Sequence, residues 1–358
     1  MKNSKMKICI DCRMWGDKFG GIGRYVKEIV LNMLGKNDWK FILLVSSEEI
    51  KDEISQMFPT CSFRLLSASI FSLKEQFLLW KSIPQCDLFW SPYMNVPFMP
   101  CKAKYRVVTL HDVFHLANPQ YYSKVKRLLI KPYYYFSCKK SDLILTVSDF
   151  SKEEIKRYCG IKSYDKTFRV YNGIDIEVTS VKPMDIGFDY VLFVGNIKPH
   201  KNIKNALLGF KLLNKTNLKF VIVGKKDGFI TADDEVMDIV EDLNNTSDSV
   251  IFTGNISDEE LYKWYKGAKF LIQPSFYEGF GLPIVEAMAF GLPVVCSDIS
   301  VFKEIGGNLL NYFNPYTPKS VCDSMLVALN ESKKIYPAWN SWRESAEIIT
   351  ERFEQLMK

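Results

Sequence analysis

Five apolar runs in the C-terminal half of this chain, YVLFVG, KFVIVG, VIFTG, KFLIQPS and PVVCSD, each end in a glycine-rich or polar loop and are separated by helical stretches. Short apolar runs alternating with helices are the pattern of parallel strands buried on both faces and joined by right-handed crossovers. The same alternation runs through the N-terminal half, with strands expected at 7–11, 41–46, 63–66, 88–90, 106–110, 143–147 and 168–171. The fold class is therefore α/β, with two doubly wound, Rossmann-like domains over residues 1–175 and 190–335. A length of 358 residues suits two cores better than one. Residues 175–189 have no clear periodicity, carry Pro183 and Gly187, and read as a linker. The segment 336–358 ends in an amphipathic helix from Trp339 to Met357. It is expected to cross back onto the first domain; packing on its own domain is the plainer alternative.

Composition removes several function classes. With 47% hydrophobic and 25% charged residues the chain is neither disordered nor fibrous. Its net charge of +6 is too mild and too dispersed for a nucleic-acid partner. No run of about 18 apolar residues could span a membrane, and the N-terminal MKNSKMKICIDC passes into a strand and not a signal-peptide core. A cytoplasmic location is expected. Nine scattered cysteines fit reduced core thiols; Cys9 and Cys12 form a C-x-x-C with no second pair, so no metal site is expected there.

In such folds ligands bind at the carboxyl ends of the strands, and the chemistry-bearing residues cluster there. Residues 270–298 place Glu278 and Glu286 around Gly279, Phe280 and Gly281, with Leu282 and Pro283 opening a helix whose N-terminus favours an anion. For either glutamate alone, complementing the helix start is the simpler role. Gly195, Asn196, His200 and Lys201 lie between another strand and helix, where Lys201 adds a cation suited to a diphosphate. Gly224-Lys225-Lys226 and Gly254-Asn255-Ile256 end the two strands between. In the first domain, Gly20, Gly21 and Gly23 form a strand-to-helix turn that lets backbone approach a ligand or merely packs the helix. The third glycine of G-x-G-x-x-G is replaced by Val26, so no dinucleotide fingerprint is present. His111-Asp112-Val113-Phe114-His115 has the spacing of a two-histidine zinc helix, but Pro119 cuts the helix short; His111, nearer the strand end, is the better ligand-facing candidate. Ser151 with Glu154 reads as a capping box. Residues 121–140 mix six basic residues with six aromatics. They suit either an anionic membrane surface or an ordinary helix with a solvated basic face.

With these clusters placed, the chain resembles the retaining glycosyltransferases of family 4, and within them bacterial mannosyltransferases that build O-antigen or other surface polysaccharide. The most specific element is Glu278-Gly279-Phe280-Gly281-Leu282-Pro283 with Glu286, supported by GGIGRY, His111-Asp112, Tyr171-Asn172-Gly173-Ile174-Asp175, VGNIKPHKN and Ser257-Asp258-Glu259-Glu260-Leu261. The resemblance spans essentially the whole length. It implies the GT-B fold, two Rossmann-like domains facing across a cleft. It also implies that Glu286 holds the donor ribose, Glu278 the sugar hydroxyls, Lys201 the diphosphate, amides near Phe280 and Gly281 the sugar or diphosphate, and that His111 lies beside the anomeric carbon. Many members carry an Arg where Asn196 or His200 stands here; Lys198, His200 or Lys225 is expected to replace it.

The implied reaction transfers a hexose, mannose from GDP-mannose as first choice and a UDP-sugar as alternative, from a nucleotide-sugar donor to a lipid-linked or polysaccharide acceptor. No metal and no cofactor are implied, and the leaving phosphate takes the acceptor's proton. Donors aimed at the diphosphate would stabilise the transition state by roughly 3 kcal/mol each. A glycosidase using the two carboxylates, or a non-catalytic two-lobed sugar-binding protein, are the other classes that fit.

Overall fold

The computed structural model describes residues 5–36, 38–224, 234–247 and 249–358. It divides into two compact units, one of residues 1–173 with 340–358, the other of residues 174–339.

The first unit holds seven parallel strands in the order β3-β2-β1-β4-β5-β6-β7: β1 (Met6–Asp11), β2 (Trp39–Val45), β3 (Ser62–Leu65), β4 (Cys86–Ser91), β5 (Ala103–Thr109), β6 (Leu143–Thr146) and β7 (Thr167–Arg169). Every pairing is parallel, with Ile8 opposite Phe41 and Ile10 opposite Leu43 setting the register of β1 and β2. The second unit holds six parallel strands in the order β10-β9-β8-β11-β12-β13: β8 (Asp189–Val194), β9 (Leu218–Val223), β10 (Val250–Gly254), β11 (Phe270–Gln273), β12 (Val294–Ser297) and β13 (Asn311–Phe313). β11 and β12 are buried at all four positions. That explains their unbroken apolar character, because helices cover both faces of a parallel sheet. In each sheet the strand order reverses once, between β1 and β4 and between β8 and β11. Loops leaving the strands there flank the crevice where such folds place ligands.

The structure revises several expectations. The segment 175–189 is no free linker: it belongs with the second unit, where Lys266 Nζ donates to the Val178 carbonyl at 3.1 Å. The second unit likewise extends to Trp339, since Tyr336 donates to the Leu292 carbonyl and Trp339 meets Phe280 edge-on. The last helix is Trp342–Met357 and sits with the first unit. Ser345 Oγ donates to the Tyr171 carbonyl at 2.8 Å, Phe353 packs on Trp39 and Trp90, and Ser341 with Glu344 closes a capping box. Ser148, not Ser151, caps the helix Asp149–Cys159, because that helix starts a turn earlier than its Ser-x-x-Glu pattern suggested. Gly20, Gly21 and Gly23 lie inside the first turn of the helix Gly20–Leu34 and not in a loop before it. A Cβ on Gly23 would fall 1.9 Å from the Gly16 carbonyl oxygen, so this glycine is required by backbone packing. Strand β13 has only three residues, too short to show as an apolar run. Lys225 and Lys226 lie outside the described residues. Among the described residues no helix is long and apolar enough to cross a membrane.

Candidate functional site

In the second unit, the loops that follow β8 and β11 meet at the switch point. After β8 the chain makes a short turn over Pro199–Lys201, and Asn202 takes a left-handed conformation before the helix Ile203–Leu213. Asn202 is buried and its Nδ2 donates to the carbonyls of Pro274 and Pro315, while the Phe276 amide donates to the His200 carbonyl. These bonds stitch the two loops together and bring Lys201 against Glu278. Lys201 Nζ lies 2.5 Å from Glu278 Oε1. The same oxygen accepts from Ser275 Oγ at 2.7 Å and from Gln273 Nε2 at 3.2 Å.

Burial pushes the Glu278 carboxyl up, but Lys201 beside it, the Ser275 hydroxyl and the charge of His200 together outweigh burial and leave it below its ordinary value. The carboxylate is therefore ionised at neutral pH. The pair is a fifth and a seventh exposed, so a ligand can reach both groups. Ser275 and Gln273 were not singled out in the sequence. The spacing Pro-Ser-x-x-Glu was a usable signal for Ser275, whereas Gln273 reads as the last residue of an apolar strand.

From Glu278 the chain turns through Gly279 and Phe280, both buried, into the helix Leu282–Ala289. Gly281 precedes it with φ of +132° and 3.0 Å between a built Cβ and the Phe302 ring, a position that only glycine suits. The helix starts with no side-chain cap, leaving its first turn to an anion. Glu286, on this helix, is 3% exposed, and its Oε2 accepts from Tyr265 Oη at 2.7 Å. Tyr265 is itself held by stacking on Phe290, with ring planes 8° apart. No sequence pattern links Tyr265 to Glu286; only the fold does.

Asn196 is exposed at the end of β8, and Gly254 and half-buried Ile256 end β10. Gly195 donates to the Val223 carbonyl and Gly224 to that of Gly254. The ends of β8, β9 and β10 thus form one tied rim that carries Asn196, His200, Lys201, Gly254 and Ile256, and residues 278–286 follow β11, the neighbour of β8 on its other side.

The first unit carries the remaining candidates. His111 follows β5, half-buried, with its ring edge-on to Tyr25 at 4.7 Å between centroids. Tyr25 belongs to the helix opened by Gly21 and Gly23, which places that helix start beside His111. His111 Nε2 lies 2.9 Å from the Pro92 carbonyl oxygen, so Nε2 carries the proton. Burial holds the imidazole down at about 4, so the ring is neutral at pH 7 and can accept at Nδ1. His115 bonds instead to Tyr134 and stacks on Tyr122, away from His111. Among the described residues no group of three or more His, Cys, Asp or Glu side chains is gathered to hold a metal ion.

Two family models match in series: "Glycosyltransferase Family 4" over residues 19–178 and "Glycosyl transferases group 1" over residues 182–339. The O-antigen chain mannosyltransferase B of Escherichia coli is 28% identical over 70% of this chain, a match spanning 65% of the E. coli protein. A Campylobacter jejuni enzyme, N-acetylgalactosamine-N,N'-diacetylbacillosaminyl-diphospho-undecaprenol 4-alpha-N-acetylgalactosaminyltransferase, is 31% identical over 78% of both chains. Sucrose-phosphate synthase from Thermosynechococcus elongatus superposes with a TM-score of 0.72 over 98% of this chain and 99% of its own, at 17% identity. The two Rossmann-like units, the rim of the second and these matches agree: the chain belongs to the family 4 glycosyltransferases and has their GT-B fold.

Proposed function

We propose that the protein is a metal-independent, retaining mannosyltransferase that takes mannose from GDP-mannose to a lipid-linked glycan in the assembly of a cell-surface polysaccharide. The observation that carries this reading is the pairing of Lys201 with an ionised Glu278 at the mouth of the uncapped helix Leu282–Ala289. A nucleotide-sugar diphosphate would take Lys201 and the helix amides, which leaves Glu278 to accept hydrogen bonds from the sugar hydroxyls. Glu286, oriented by Tyr265, would hold the ribose. Negative charge growing on the leaving diphosphate then meets a fixed cation and dipole, the arrangement that lowers such barriers most. The leaving phosphate oxygen serves as base for the acceptor hydroxyl, so no side-chain base is assigned. His111, neutral and fixed, would accept a hydrogen bond from the sugar beside the reacting carbon.

Mannose is favoured by the E. coli relative and a lipid diphosphate acceptor by the name of the C. jejuni one. The latter's sugar is an N-acetylhexosamine, which supports a UDP-sugar donor as the second reading. A thermal-shift screen of GDP-mannose, GDP, UDP-glucose and UDP-N-acetylgalactosamine separates them, because only a ligand that binds the folded state raises the melting temperature. GDP-mannose and GDP should shift it and the UDP-sugars should not; a shift with UDP-sugars only would replace the first reading, and no shift with any would sink both.

A cytoplasmic site of action at the inner membrane face follows from such an acceptor. The helix Lys124–Lys140 supports it. Tyr133 and Tyr134 are buried, yet Val125, Leu128, Leu129 and Tyr135 are 68%, 71%, 65% and 55% exposed among Lys124, Lys126, Lys131 and Lys139. An apolar stripe fringed by lysines suits an anionic bilayer surface. Sedimentation with phosphatidylglycerol vesicles that is lost on Leu128→Ser/Leu129→Ser is the expected result; no sedimentation of the wild type would remove this part.

A further inference from the structure

At the switch point of the first unit the charges are sealed. Arg13 is 2% exposed and bonds twice to Asp11, Nε to Oδ1 at 2.7 Å and Nη2 to Oδ2 at 2.5 Å. Its Nη1 forms an ion pair with Glu75 Oε1 at 2.7 Å. Glu75, fully buried on the helix Leu73–Ser82, accepts the Phe71 amide on its other oxygen and Asn95 Nδ2 on Oε1. Gln76 closes the circuit: its Nε2 donates to Asn95 Oδ1 at 2.7 Å and its Oε1 accepts from the Phe98 amide at 3.1 Å.

Asn95 thus ties the loop that follows β4 to this helix. Two further bonds pin the loop, Ser91 Oγ to the Tyr93 carbonyl and Ser137 Oγ to the Met94 carbonyl. Within this loop lies Pro92, itself buried, whose carbonyl accepts the His111 Nε2 proton.

Two roles are open to such a network, binding or holding. The cavity beside it, lined in part by Asp11, Arg13, Pro92, Tyr93 and Asn95, measures about 10 Å³, room for about one water and not for a sugar. Stability is a weak rationale too, because buried ion pairs are often replaceable by apolar residues without loss. What the network does supply is direction: Arg13, Glu75 and Asn95 are each held by partners on two sides.

We propose that Asn95, fixed by Glu75 and Gln76, is a positioning residue for His111. By holding the 92–95 loop it keeps the Pro92 carbonyl on Nε2, so the ring stays in one tautomer with Nδ1 as an acceptor. This rests on the reading of His111 as the sugar-facing group. The consequence for turnover is that loosening the loop lets the ring turn or change tautomer, which removes a correctly aimed acceptor without touching the donor-binding residues of the second unit.

The test is Asn95→Ala, which deletes the tether and leaves the Asp11–Arg13–Glu75 pairs in place. With only three histidines in the chain, ring-nitrogen spectra of ¹⁵N-histidine-labelled protein are simple, and His111→Gln assigns the signal. Wild type should show Nε2 protonated and Nδ1 bare. Asn95→Ala should show averaged or exchanged tautomers, a kcat lower by roughly ten-fold, and an unchanged donor KM. Unchanged His111 signals and kcat in a folded Asn95→Ala protein would overturn the proposal. If that variant does not fold, Gln76→Met removes the other arm of the tether and is read the same way. Should His111→Gln transfer sugar as wild type does, the sugar-facing role of His111 fails instead, while the ring spectrum of Asn95→Ala still decides whether Asn95 sets the tautomer.

Discussion

In the unit of residues 174–339 the switch-point charges stand within reach of solvent and pair across two loops, Lys201 with Glu278. In the other unit Asp11 and Arg13, where β1 ends, pair with Glu75 of the helix Leu73–Ser82; all three are almost wholly buried and bonded to one another and to the 92–95 loop. The topology is the same but its use differs. A partly exposed pair can exchange its internal partner for a ligand at modest cost, since neither charge has been taken fully out of water. A buried triad cannot, because breaking it strands a charge in a low-dielectric interior. One rim is therefore built to bind an anion, and the other to hold a backbone and a neutral histidine in place.

The largest effect expected from this contrast is on stability. Arg13→Met leaves two buried carboxylates without their cation, a change that costs about 3–5 kcal/mol. For a unit of this size that lowers the melting temperature by on the order of 10 °C. The surviving folded fraction should bind donor normally. A melting temperature within error of wild type would mean that the triad relaxes or admits water, and the contrast between the units would lose its basis.

Lys201→Ala should do the reverse. Loss of a charge-assisted bond to the diphosphate, worth about 1.5–3 kcal/mol, should weaken donor affinity by roughly 100-fold. Melting in the absence of ligand should move much less than in Arg13→Met, because the pair keeps some contact with water. Calorimetry with the nucleotide sugar measures the first and a melt the second; retained affinity would remove Lys201 from the diphosphate site.

Tyr265→Phe probes a smaller interaction. It deletes one 2.7 Å hydrogen bond to Glu286 and keeps the stack on Phe290. A buried carboxylate that loses one partner costs about 1–3 kcal/mol. Nucleotide affinity should fall by roughly ten-fold if Glu286 holds the ribose. A loss confined to stability, with affinity unchanged, would make Tyr265–Glu286 a core contact like the triad of the other unit.

How far these regions could be read in advance follows from what each depends on. Parallel strands buried on both faces leave unbroken apolar runs, so both sheets were legible, apart from the three-residue β13. Lys201, Glu278 and Glu286 stood out because charged residues interrupt glycine-rich loops next to such strands. The glycines at 20–23 misled in position, because packing of Gly23 against the Gly16 carbonyl is a tertiary requirement that mimics a loop signal. Arg13, Glu75 and Asn95 left no trace, since nothing in a one-dimensional pattern brings three distant polar residues together. Tyr265 was hidden likewise, as one aromatic among many on an amphipathic helix.

The finest separation of the two units is by acid. Burial holds His111 at about 4 against an ordinary 6.5, so the unfolded chain binds more protons than the folded one between those values. The contribution of His111 is fully present above about pH 6.5 and is lost as pH falls toward 4. Glu278 is depressed below 4.5, so its contribution is also lost on acidification, but only below about pH 4.5. His111→Gln should therefore lessen the decline of a melt between about pH 6.5 and pH 4, and Glu278→Gln should lessen it only below about pH 4.5, where Glu49 and Glu344 of the first unit titrate as well. If His111→Gln leaves the decline between pH 6.5 and pH 4 unchanged, the ring is already protonated or solvated in the folded protein. The neutral, tautomer-locked histidine on which the holding role of the first unit depends would then be lost.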